Sequence, residues 1–170
     1  MEVLFENQNT ITRMQLVELY KNQYKAANTK FVIFSSVLFL GYLLFCCFLR
    51  VFDFSILMVI VALIAVVLRV MKRPVKNANT SFEKLLAYYD DVMPVNRVQF
   101  GDKIIVEAPD RTSTIEYRKI DKILSLKHGY VIFDKRTNFF ILSRDGFTKG
   151  TFEEFKQFLR EKCPHVTIPE

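Results

Sequence analysis

The chain has 170 residues, enough for one or two small structural units. Its residues are 51% hydrophobic and its formal net charge is +6, but neither property is spread evenly. Residues 77–170 carry 15 Lys/Arg against 14 Asp/Glu and residues 1–76 carry 9 against 4, so the positive excess flanks an apolar tract, which argues against nucleic acid as a partner.

In chain order, "EVLFE" (Glu2 to Glu6) reads as a short strand. Thr12 and Gln15 then stand at capping-box spacing. Met14, Val17, Tyr20, Tyr24 and Ala27 follow at roughly helical intervals. The pattern predicts a helix that runs directly into the apolar tract, and residues 1–30 form a first segment of strand and amphipathic helix.

From Phe31 to Leu68 the only charges are Arg50 and Asp53. As one helix this tract would be about 57 Å long, against a hydrocarbon core of roughly 30 Å. Two crossings, 31–49 and 52–70, fit instead, as a transmembrane helical hairpin over 31–70 with "RVFD" as its tip. Arg50 and Asp53 then sit in the headgroup region and avoid the cost of a charge at the bilayer centre. A buried hairpin in a soluble oligomer is the competing reading. Arg13, Lys21, Lys25 and Lys30 precede the first crossing, and Arg69, Lys72, Arg73 and Lys76 follow the second. By the positive-inside rule this is a multi-pass plasma-membrane protein with cytoplasmic N- and C-termini. The cluster Arg69, Lys72, Arg73 and Lys76 reads either as a topology determinant or as a site for anionic lipid headgroups, at about 1 kcal/mol per basic residue. Cys46 and Cys47 are apolar fillers or acylation sites, and with Cys163 they match no zinc or disulfide spacing. Gly41 has no second glycine at small-xxx-small spacing, so helix pairing is read as intramolecular and the oligomeric state stays open.

After the tract, Pro74 is expected to break the helix and Thr80 with Glu83 to start another. Phe82, Leu85, Leu86, Tyr89 and Met93 form its apolar stripe, and Pro94 ends it. Six strands follow: "RVQF", "KIIVEA", "STIEY", "KILSL", "YVIFD" and "NFFIL". Turn signals at Gly101-Asp102, Pro109-Asp110, His128-Gly129 and Asp134 to Asn138 separate them. A last helix is capped by Thr151 and Glu154, with Phe152, Phe155, Phe158 and Leu159 on one face. The fold class is α+β: a transmembrane hairpin, then over 77–170 an antiparallel pleckstrin-homology-like barrel capped by a C-terminal helix.

The stretch from Thr114 to Lys162 resembles the YcxB-like family of bacterial membrane proteins. Ile115, Tyr117, Ile120, Ile123, Tyr130, Phe133, Ile141, Arg144, Phe147, Phe155 and Leu159 carry the resemblance. Ser143 stands where the family often has proline, and Tyr117 where it often has tryptophan. The resemblance implies an N-terminal segment, two adjacent transmembrane helices and a pleckstrin-homology-like C-terminal domain, and only weakly a function.

No catalytic or metal constellation stands out. His128 reads as a turn residue, "CPH" around His165 is too weak for a metal site, and Asp90-Asp91 ends a helix with its side chains pointing apart. Arg118, Lys119, Lys122 and Lys127 alternate with Glu116 and Asp121, as on a solvated face. No cofactor is expected. The leading expectation is a non-enzymatic inner-membrane protein whose cytoplasmic barrel mediates protein or lipid-headgroup interaction, with membrane lipids and a protein as partners. The alternative is an immunity protein against a membrane-acting toxin or bacteriocin. A lipid-directed enzyme would have only Asp53, Arg50 and Ser35-Ser36 to work with.

Overall fold

A computed structural model describes residues 2–49, 54–135 and 138–169, the side chains at 47, 49, 54–56 and 58 aside. Arg50 and Asp53, the expected hairpin tip, lie outside the described residues. The chain begins with β1 (Phe5–Thr10), α1 (Arg13–Leu49) and α2 (Phe54–Tyr88). Then come β2 (Val95–Phe100), β3 (Ile104–Ala108), β4 (Arg111–Ile115), β5 (Ile120–Leu126) and β6 (Gly129–Asp134). β7 (Phe139–Ser143), β8 (Phe147–Lys149) and α3 (Phe152–Lys162) complete it. The strands form two antiparallel sheets, β4-β3-β2-β1-β8 and β5-β6-β7.

The first strand lies later than "EVLFE" suggests, and it is not peripheral. β1 pairs with β2 over its whole length, from Phe5 opposite Phe100 to Thr10 opposite Val95, and with β8 on its other edge. The helix pair is therefore inserted between two strands of one sheet. Along β1 the inward positions include Asn7 and Asn9, both buried. The Asn7 amide donates to the Ser143 carbonyl (2.7 Å) and its oxygen accepts from the Ser143 N–H (3.2 Å). Asn9 donates to the Ile141 carbonyl (3.3 Å) and accepts from the Gln15 amide (3.3 Å). Two side chains of the first sheet thus pair with the β7 backbone of the second, as a neighbouring strand would. On the outer face, Glu6 takes Arg97 at 2.6 Å along with Gln99 and Thr148.

The Thr12–Gln15 capping box forms, with reciprocal bonds of 3.0 and 3.3 Å. The buried face of α1 differs from the expected one: Leu16 and Leu19 are buried, whereas Met14 is 74% exposed. Pro74 does not break the second helix. It lies inside α2, is buried, and the helix continues through Thr80 and Glu83 to Tyr88. A proline in a helix interior costs about 3 kcal/mol; here Arg73 and Asn77, on either side of it, both contact Tyr24 of α1, and the buried proline is held within that packing. The helix ends through Asp90 and Asp91 in the left-handed region (φ 51° and 63°), the Asp91 N–H reaching back to the Leu86 carbonyl. Aspartate tolerates that conformation better than most non-glycine residues.

The six expected strands appear as β2 to β7, with ends shifted by one or two residues. Tyr117, read as the end of "STIEY", belongs to a 3-10 turn between β4 and β5. α3 carries the expected capping box, and Phe152, Phe155, Phe158 and Leu159 are buried on the main core with Phe100, Ile104, Ile132 and Leu142. The β5-β6-β7 sheet is covered on both faces. Tyr130 and Ile132 face that core, while Val131 and Ile141 pack with Leu16, Leu19 and Ala78 at the base of the helix pair. This explains why "YVIFD" reads as a continuous apolar run instead of an alternating one.

Replacing Asn7 by alanine strands the Ser143 N–H and carbonyl away from water, so N7A should destabilise by about 1–3 kcal/mol in denaturant unfolding, and N7A/N9A by more. The Arg97 guanidinium, then burial acting in opposition, and the Thr148, Gln8 and Gln99 side chains leave the Glu6 carboxyl at about 2, below its ordinary 4.5. A depressed carboxylate stabilises the fold above its unfolded pKa and loses that contribution as pH falls through the folded value. Wild type should therefore lose about 1 kcal/mol between pH 4.5 and 2, a figure discounted for the exposed arginine. E6Q should flatten that part of the stability–pH curve.

Candidate functional site: a basic collar and a cleft

Below the apolar tract the two long helices are held by polar side chains. The Tyr20 and Ser81 hydroxyls meet at 2.7 Å, Asn77 donates to the Tyr24 hydroxyl at 3.0 Å, and the Arg73 guanidinium lies 5.8 Å over the Tyr24 ring. Each step along α1 is matched by one step back along α2, so this register brings Phe31 level with Val70. The apolar tract therefore begins at the same height on both helices. Arg69, Lys72, Arg73 and Lys76 are exposed and follow the i, i+3, i+4, i+7 spacing of a single helix face. Lys25 and Lys30 of α1 are exposed at the same level, with Lys21 one turn below. Together the seven make a basic collar directly below the apolar surface, where Ile33, Phe34, Val37, Leu38 and Leu40 of α1 stand exposed. Among the described residues one helix, Arg13–Cys46, is long and apolar enough to cross a membrane.

The second feature could not be read from any one segment. α3 fills one end of the space between the sheets; the other end remains a cleft of about 360 Å³. Its walls are the inner face of β2, β3 and β4 (Val98, Val106, Ile115) and β7 (Phe140, Ile141), and Leu85, Tyr89 and Met93 close its floor. The stripe along the end of α2 thus does two jobs, since Leu85 also packs with the core under the helix pair. Arg111, Ser113 and Asn138 stand at the rim. A shallower hollow of about 250 Å³ shares Thr114, Ile115 and Asp134 with the cleft and leads to Lys119 and Lys135. Beside the cleft, the Tyr88 and Tyr89 hydroxyls donate to Asp110 at 3.3 and 3.1 Å. Burial opposes the charge on Asp110, but its own backbone and the two tyrosines outweigh it and lower the carboxyl pKa. Burial and the facing Asp110 carboxylate raise that of Tyr89.

Residues 100–159 match the family model described as YcxB-like protein. Over this segment, about a third of its length, the chain is similar to that family. No curated protein and no solved structure matches it. The matched segment runs from the last residue of β2 to Leu159 in α3; it holds most of both cleft walls and leaves out β1 and the two long helices. Among the residues that carry the resemblance, Ile115 and Ile141 line the cleft, whereas Ile120, Tyr130, Phe155 and Leu159 are core. Tyr117, in the place of the family's frequent tryptophan, donates its hydroxyl to the Gly101 carbonyl at 2.9 Å, and its burial raises the phenol pKa.

The remaining candidates are structural. His165 donates from Nε2 to the Ile120 carbonyl at 3.0 Å, and His128 sits in the turn between β5 and β6. Glu116 pairs with Arg118 and Lys119, as a solvated charged face requires. No group of three His, Cys, Asp or Glu side chains able to hold a metal occurs among the described residues. Cys163 is fully buried under Tyr117, and burial pushes its thiol up to about 11. A thiol so placed is a poor nucleophile at neutral pH. Cys163 should resist maleimide at pH 7 in the folded protein and react within minutes in denaturant, as peptide mass spectrometry would show.

Proposed function

We propose that this protein is a membrane-anchored interaction module. In this reading α1 and α2 cross the bilayer as a hairpin. The basic collar lies on the cytoplasmic headgroups, and the sheets with α3 form a pleckstrin-homology-like barrel that binds its partner in the cytoplasm. The pairing of β1 with β2 carries it. If α1 crosses, the chain has to return before β2, because β1 and β2 are hydrogen-bonded neighbours on one side of the membrane. Only α2 is available for the return. The common height of the collar on the two helices supports the same topology, since positive charge is retained on the cytoplasmic side. The capture of a partner by the barrel is supported by its open cleft and by β4, an edge strand whose residues from Arg111 to Thr114 are exposed.

The topology is tested by single-cysteine labelling in intact cells. With Cys46 and Cys47 replaced by alanine, V51C should react with an impermeant maleimide from outside. A cysteine appended to the C-terminus should react only after permeabilisation. The protein should remain in the pellet at pH 11. Exterior labelling of the C-terminus, or release by alkali, overturns the reading. Replacing Arg69, Lys72, Arg73 and Lys76 together by glutamine removes about 4 kcal/mol of attraction to an anionic leaflet. That variant should show a measurable inverted fraction in the same assay.

A further inference from the structure

We infer that the cleft is a binding site for a small amphipathic anion, a carboxylate on an apolar body of about seven to nine atoms, the size the cleft admits at roughly 30 Å³ per water-sized group. This deepens the interaction-module reading and rests on it, naming what the barrel holds. The apolar body is specified by the inner wall, where Val98, Val106 and Ile115 lie opposite Phe140. A cavity of about 360 Å³ falls within the range of small-molecule sites, which join apolar walls to a few placed polar groups. The negative head is specified by the rim. Arg111 is exposed and, among the described residues, has no carboxylate within ion-pair distance. The nearby Asp110 feels its charge without closing on it, its oxygens being occupied by Tyr88 and Tyr89. At the adjoining hollow Lys135 stands beside Asp134, and Lys119 is paired with Glu116, so Arg111 is the cation at the rim without a carboxylate partner among the described residues. A guanidinium offers a carboxylate two parallel donors.

The ligand enters from water and not directly from the bilayer. Leu85 and Tyr89 lie nine and thirteen residues beyond Lys76, about 14 and 20 Å along the helix away from the collar. A membrane lipid held at the collar does not reach the cleft, whereas a free carboxylate does.

The test uses the full chain in lipid nanodiscs, with Cys46 and Cys47 replaced by alanine and S113C as a reporter at the rim. Octanoate is the probe, and octanol and octylamine are its chain-matched controls. Octanoate should slow maleimide labelling of the reporter at least fivefold in a saturable manner, and the two controls should not, although octanol enters the nanodisc more readily. R111Q should raise the octanoate concentration for half-protection about tenfold, the loss of one charged hydrogen-bonded contact. V106W, which fills the cleft, should slow labelling without ligand and abolish the octanoate effect. Equal protection by octanol and octanoate, an unaltered R111Q response, or no protection up to the solubility limit each overturns the proposal. Protection by acetate at the same concentration also overturns it, because the apolar wall would then contribute nothing. A chain released from membranes by alkali yet still selective for octanoate would remove the membrane reading and keep the cleft. The reverse result would do the opposite.

Discussion

The two sheets are joined along one seam by asparagine side chains and not by a backbone ladder. Asn7 offers both its donor and its acceptor to Ser143, and Asn9 reaches Ile141 on the same strand, so β7 is bonded to β1 without being hydrogen-bonded to it as a strand. Buried amides are tolerable only when their capacity is filled, and here each satisfies backbone groups that would otherwise be stranded. The spacing of the sheets follows from the length of that side chain. On one side of the seam α3 enters and completes the core; away from it the sheets part, and the cleft is what remains.

The same seam marks the limit of what hydropathy reveals. β2 to β7 were legible because each is a short apolar or alternating run between glycine, proline and aspartate turns. Both capping boxes were legible because their chemistry is local: Thr12 with Gln15 and Thr151 with Glu154 each bond across three residues. β1 was misplaced because its inward positions are asparagines, and a strand that buries polar groups looks like a loop. β8 is three residues long and has no period to read. The exposure of Met14 and the burial of Leu16 depend on where sheet β5-β6-β7 lies against α1, a tertiary fact absent from helical spacing. The basic collar was visible as a cluster of charges, but its common level on two helices needed the Tyr20–Ser81 and Tyr24–Asn77 contacts. The cleft was invisible, being assembled from the end of α2, three strands of one sheet and one of the other.

Pro74 shows local propensity yielding to packing. On its own it stops a helix; flanked by Arg73 and Asn77, which both engage Tyr24, it is carried through. The consequence is a single continuous helix from the apolar tract to the floor of the cleft. Because Leu85 touches both the second core and the cleft, a tilt of that helix alters the shape of the cavity.

The insertion of the helix pair between β1 and β2 also orders the events of synthesis. Phe5 leaves the ribosome early, and its partner Phe100 follows 95 positions later. At ordinary elongation rates that is a delay of roughly 5–20 s. During it β1 has no neighbour, and its asparagines are satisfied by water. The long helices complete their turns and settle in the meantime, since helix formation is faster by orders of magnitude. The sheet then closes around a strand that has been waiting, once the helix pair has brought β2 back alongside β1. Closure of the five-stranded sheet thereby waits on the completed helix pair, and strand pairing alone enforces that order.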